Sequence, residues 1–164
     1  MIRPAGIDIG TSSIKLIELQ EKKGKLEILR CGANAISGED VKTSLKDLVA
    51  LSKLSSKRVN ISLSGPSVIV RYIEMPQMKK EELKSAIKFE EGKYIPFDIK
   101  EAMLDCVVLD KIPSGSANRV LLVAAKKDRI NACLEMFKEI GLDIASIDVD
   151  AMAVLNSFQR LGLE

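Results

Sequence analysis

Apolar and polar residues alternate through the first third of the chain. The alternation predicts strands over Ala5 to Gly10, Ser13 to Gln20 and Leu26 to Ile36, with Gly24 in the turn before the third. Three strands joined by short connections form an antiparallel meander. The period then changes. Val41, Leu45, Leu48 and Val49 recur at helical spacing, which predicts an amphipathic helix from Glu39 to Leu54. Alternation returns over Val59 to Leu63 and stops at Ser64-Gly65-Pro66.

A second section follows. Val68 to Met75 reads as a strand ending at Pro76. Lys79 to Tyr94 reads as a helix, with Leu83, Ala86, Ile87 and Glu90 on one side and Pro96 as its stop. Glu81 and Glu82 fall in its first turn, where the helix dipole favours negative charge. Ala102 to Asp110 and Arg119 to Lys126 are strands flanking a loop over Pro113 to Ser116. Asp128 is placed to cap a helix running to Ile140, with Ile130, Cys133, Leu134 and Phe137 inward and Gly141 as a left-handed C-cap. Leu142 to Val149 is a last strand. Asp150 is placed to cap a final helix, Ala151 to Leu161.

The outer elements run β-β-β-α-β and then β-α. Between them lies a β-α-β-β-α block, Pro66 to Ile140. Read as an insertion, that block leaves a meander continued by helix-connected parallel strands. This is the α/β ribonuclease-H-like arrangement, the half-unit of actin-like folds. The expected domains are therefore 1–65 plus 141–164, and an inserted 66–140.

Composition narrows the function classes. The 164 residues carry a net charge of only +2, so no strong field draws in nucleic acid or a membrane. Lys22, Lys23 and Lys25, Lys57 with Arg58, and Lys126 with Lys127 form short basic clusters beside turns or strand ends, and read as solvated faces. Two Tyr, four Phe and no Trp leave little for base stacking. There is no histidine, and Cys31, Cys106 and Cys133 are scattered, which disfavours a zinc site. Each cysteine lies in an apolar segment and reads as a small core residue. No run approaches the roughly 20 apolar residues that span a bilayer. Any membrane association is expected to come through a partner, with the chain at the cytosolic face.

The candidate chemistry sits in "GIDIGTSSIKLIEL", Gly6 to Leu19. A tight hairpin of small residues gathers main-chain N–H groups and leaves room for an anion. Gly10, Thr11, Ser12 and Ser13 fit such a phosphate cradle. The Thr11 and Ser12 hydroxyls add donors. Asp8 is placed to hold magnesium through a water, and Lys15 to offer a point charge to outer phosphates. The same residues also fit a ligand-free hairpin in which Asp8 pairs with a nearby lysine.

"DIGTSS" at the first hairpin resembles the first phosphate motif of the actin, Hsp70 and sugar-kinase superfamily. Asp8, Gly10 and Thr11 match it residue by residue. The inserted block resembles the extra subdomain of FtsA. Three stretches resemble the PilM family of type IV pilus machinery along the whole chain: "GIDIGTSSIKLIEL", "VRYIEMPQMKKEELKSAIKFEEGKYIPF" and "IDVDAMAVLNSF". The L component of type II secretion shares the plan. The resemblance implies ATP and Mg as ligands, with Asp148 or Asp150 approaching the nucleotide. It also implies a partner, the cytosolic N-terminal tail of PilN, in a groove beside the inserted block. Arg71, Tyr72, Tyr94, Ile95 and Phe97 are the candidate groove residues; core packing is the other reading of Tyr94 to Phe97. FtsA-like self-association is a further expectation. Family members carry a second half with further phosphate and adenosine motifs. Neither motif occurs here, so the chain reads as the first half of a longer protein. It is expected to bind ATP weakly or not at all, and not to hydrolyse it.

Overall fold

The computed structural model describes residues 3–36, 40–89, 93–111 and 117–160. Alternation becomes a meander. β1 (Ala5–Ile9) pairs antiparallel with β2 (Ser13–Lys22), and β2 with β3 (Lys25–Ala35). Ala5, Ile7, Ile14 and Leu16 point to one buried face. α1 (Val41–Leu51) follows, its first turn capped by the Asp40 side chain, which accepts from the Lys42 N–H. Leu45 and Leu48 are its buried stripe. Gly32 of β3 has to be small. A Cβ there would come within 2.6 Å of Ser52 Oγ and 3.0 Å of Leu48 Cδ1.

β4 (Arg58–Leu63) lies parallel to β1, and β8 (Asp143–Val149) lies parallel to β4. The sheet order is β3-β2-β1-β4-β8. A meander extended by parallel strands on the β1 side is the ribonuclease-H-like order. α4 (Asp150–Arg160) completes this part.

The second sheet has the order β5-β7-β6, all antiparallel: β5 (Val68–Pro76), β6 (Ala102–Lys111) and β7 (Ala117–Lys126). One face carries Ile73, Met75, Cys106, Val120, Leu122 and Ala124. α2 (Lys80–Phe89) covers it with Leu83 and Ile87. The chain thus forms two compact units, residues 1–64 with 133–164, and 65–132; the division falls within α3 (Lys127–Glu139). No helix among the described residues is long and apolar enough to cross a membrane.

The helix C-terminus at Gly141 is as expected. Gly141 has φ of +77°. Its N–H donates to the Lys138 carbonyl at 3.0 Å, and the Leu142 N–H donates to the Phe137 carbonyl at 2.9 Å. That pair of bonds is the Schellman motif.

Several expectations change. β7 runs straight into α3, so the helix starts at Lys127, and Asp128 sits inside the first turn rather than capping it. Its Oδ1 accepts from the Arg129 N–H at 2.6 Å. Leu134 is 42% exposed, because Ile130, Cys133 and Phe137 already define the inward stripe. α2 ends at Phe89 among the described residues, and Lys93 and Tyr94 lie in a turn. Cys31 is exposed, on the face of β3 opposite the one that Gly32 turns to α1. The predicted loop at Pro113 to Ser116, Glu90 and Leu161 lie outside the described residues.

Candidate functional site

Parallel strands bring their carboxyl ends to one edge of a sheet, and ligands in α/β folds bind outside that edge. Here the edge is formed by β1, β4 and β8. Gly6 and Ile7 stand beside Asn60 and Ile61, and Ser62 beside Asp148. One position beyond Ile7, the Asp8 Oδ1 accepts a long hydrogen bond from Ser62 Oγ at 3.5 Å. Asp8, Ser62 and Asp148 therefore line up across three strands. Asp148 is exposed, and its Oδ1 accepts from the Val149 N–H at 2.8 Å. Asp150 opens α4, exposed, its Oδ1 accepting from the Ala151 N–H at 2.6 Å.

The β1–β2 turn closes beside this row. Gly10 N–H donates to the Ser13 carbonyl at 3.0 Å, and the Ser12 carbonyl accepts from the Ile36 N–H at 2.8 Å. An added Cβ on Gly10 would lie 3.0 Å from the Ser13 oxygen, so the turn is tight. Thr11 and Ser12 are exposed, and their N–H groups meet no acceptor among the described residues. The Gly10 amide closes the turn and is not available to a ligand.

Asp8 and Lys15 face each other across the hairpin. Lys15 Nζ lies 3.0 Å from Asp8 Oδ2, with the two side chains 55% and 48% exposed. A pair so open to solvent contributes at most about 1 kcal/mol. A phosphate for the lysine and a cation for the carboxylate can displace it at little cost. No cluster of three or more acidic, thiol or imidazole side chains placed to hold a metal occurs among the described residues. A magnesium ion would rest on Asp8, mostly through its own waters.

Residues 6–163 match the family described as type IV pilus assembly protein PilM. The chain belongs to the PilM family. Among solved structures it is similar to a PilM–PilN type IV pilus biogenesis complex, at TM-score 0.85 and 24% identity, over 98% of this chain and 51% of that one. It is also similar to the cytoplasmic domain of EpsL, an inner-membrane component of the type II secretion system of Vibrio cholerae. There the TM-score is 0.63 and the identity 16%, over 90% of this chain and 57% of that one. This PilM-family chain thus spans about half the length of the solved structures it matches.

The second unit of the PilM-family chain places the other candidates unequally. Arg71 and Tyr72 stand exposed on β5, Tyr72 at 69%. Ile95 is 5% exposed and belongs to the core cluster, so it cannot present a docking surface. Tyr94 and Phe97 are partly buried against the same core. Lys93 Nζ lies 5.0 Å from the Tyr94 ring centre, and Lys126 Nζ lies 5.6 Å from that of Phe97.

Two residues escaped the sequence reading. Ser62 joins the Asp8 row only through the parallel register, which no local pattern reveals. Glu18 is fully buried. Its signal was present: Ile14, Leu16 and Glu18 occupy every second position of β2, so all three face inward.

Proposed function

We propose that this chain is the phosphate-side half of an actin-like adaptor in the type IV pilus inner-membrane assembly platform. In the whole protein it holds MgATP at the β1–β2 hairpin, and it holds the cytosolic N-terminal tail of a PilN-like protein on its second unit. Membership of the PilM family supports the pilus role. The observation that carries the nucleotide reading is the row of Asp8, Ser62 and Asp148 beside the unbonded amides of Thr11 and Ser12. Those amides and Lys15 would take phosphate oxygens, and Asp8 would take hydrated magnesium. The Thr11, Ser12 and Ser13 hydroxyls add donors.

Only one side of a nucleotide is addressed by these residues. Phosphoryl transfer needs charge stabilisation and a placed water from the opposite side as well. The chain alone is therefore expected to show no ATP turnover, followed by phosphate release. Turnover that Asp8→Ala abolishes would overturn this one-sided reading.

The partner reading is tested separately, by calorimetry with a synthetic PilN N-terminal peptide and the protein carrying both halves, MgATP present. Binding is expected, and Tyr72→Ala is expected to weaken it by roughly tenfold, the scale of an exposed aromatic anchor. Absence of binding by a folded protein would remove the adaptor reading, whatever the nucleotide result.

A further inference from the structure

The amino ends of β1, β4 and β8 form the pole opposite the hairpin. A cleft of about 380 Å³ opens there, lined by Arg3, Lys57 and Arg58 together with Ser56 and Asn60. We propose that this cleft is a second anion site, built for a phosphate group. The proposal does not depend on the nucleotide or partner readings. At about 3.3 Å per residue, the length of β4 puts it on the order of 15–20 Å from the hairpin.

Charge is the first argument. Three cations line the cleft and no carboxylate does. Among the described residues none of the three has an ion-pair partner. Glu18, bonded to the neighbouring loop, is fully buried and already bound to Arg30, Ser55 and Ser56. Asp143 stands beside Arg58 in the β4–β8 register but makes no ion pair with it. Like charges gathered in one concavity repel, and low-dielectric walls concentrate their field on whatever enters.

Rigidity is the second. Arg3 Nη1 donates to Ser55 Oγ at 3.1 Å. Ser56 Oγ donates to the Arg58 carbonyl at 2.7 Å and accepts from the Arg58 N–H at 3.3 Å. The Lys57 carbonyl accepts from the Asp143 N–H at 2.8 Å. The backbone bearing the cations is thus tied to β8, and Arg3 to the α1–β4 loop. The Asn60 amide is already committed: Nδ2 donates to the Ala5 carbonyl at 3.1 Å, and Oδ1 accepts from Ser146 Oγ at 2.7 Å. The donors left for a ligand are two guanidinium groups and an ammonium. Phosphate oxygens, which accept forked and point-charge donors together, match that set. Such a phosphate could be free or the headgroup of an anionic lipid.

The test uses inorganic pyrophosphate by titration, and vesicles of phosphatidylglycerol or of phosphatidylcholine by flotation. All are measured on a Lys15→Ala background, which removes the hairpin's cation and weakens any binding there. Pyrophosphate is expected to bind, weakening with added salt. The pair Lys57→Gln and Arg58→Gln is expected to lower its affinity by roughly 30-fold, at about fivefold per cation. Both residues are exposed, so folding should survive, which thermal unfolding of the variant checks. Flotation with phosphatidylglycerol vesicles alone, lost in the same pair, would assign the site to lipid headgroups. Pyrophosphate binding without flotation would assign it to a free phosphate compound. Failure of both probes to bind, or binding that the pair of substitutions leaves unchanged, would overturn the proposal.

Discussion

Glu18→Ala is expected to destabilise the chain by roughly 2–3 kcal/mol, the cost of removing the shared acceptor of several donors. The carboxylate is wholly enclosed. Its Oε1 accepts from Ser55 Oγ at 2.6 Å and from the Ser56 N–H at 2.9 Å. Its Oε2 accepts from Arg30 Nη1 at 2.6 Å and from the Ser55 N–H at 3.3 Å. Alanine would leave two amides, a hydroxyl and a guanidinium without their shared acceptor, and only the exposure of Arg30 and Ser55 to solvent limits the cost. The residue also ties β2 to the loop between α1 and β4, at a register shift between Glu18 and Leu19. Against a total stability of about 5–15 kcal/mol, the loss is large.

The same residue sets an acid dependence. Burial is the largest influence and pushes the Glu18 carboxyl up, but the bonds from Ser55, Arg30 and Ser56 together outweigh it, so the group titrates below its ordinary value. Its folded value being depressed, its contribution is complete above the unfolded value of about 4.3. It declines as the pH falls below that and is lost once the pH has passed the folded value. Glu18→Gln keeps the shape and removes the titration. Urea unfolding followed by circular dichroism, near neutral pH and at about pH 3, well below the unfolded value, separates the two effects. Glu18→Ala should unfold at lower urea at both values, and Glu18→Gln should show a weaker loss between them than the parent. Equal midpoints for Glu18→Ala and the parent would show that the carboxylate holds nothing.

The elements were legible because their periods are clean. The meander, α1, β4 and the glycine at the end of α3 follow from alternation, helical spacing and one positive φ. Misreadings cluster where two rules compete. Leu134 satisfies helical spacing, yet the stripe was already filled by Ile130, Cys133 and Phe137. Cys31 lies in an apolar run, but alternation on β3 turns it away from α1. Tyr94 continues the helical pattern, while the chain has already turned by Lys93. At the candidate site, Asp8, Lys15 and the Gly10 turn are contiguous in sequence and could be read locally. Ser62 enters only through strand register. The basic residues Lys57 and Arg58 were legible as a cluster, but their concavity with Arg3 depends on three strand starts meeting at one pole.

Phe137→Ala is expected to cost roughly 3–5 kcal/mol, and Leu134→Ala no more than about 0.5 kcal/mol. Phe137 is fully buried, whereas Leu134 is 42% exposed. The difference goes beyond area. Phe137 is the residue whose carbonyl accepts the Leu142 N–H in the Schellman motif. In that motif the side chains at these two positions commonly pack together, and Leu142 is 4% exposed. Truncation to alanine thus opens a cavity under the turn that starts β8. The Lys42–Glu139 ion pair on the neighbouring turn is exposed on both sides and cannot compensate. β8 delivers Asp148 to the carboxyl-end row, so loosening its start should reach the site edge as well as the core. Hydrogen exchange is the deciding measurement. In Phe137→Ala the amides of β8 should exchange faster than those of β2, which is held by the meander and Glu18. Equal midpoints for Phe137→Ala and Leu134→Ala in urea, with unchanged exchange along β8, would show that α3 does not anchor that strand.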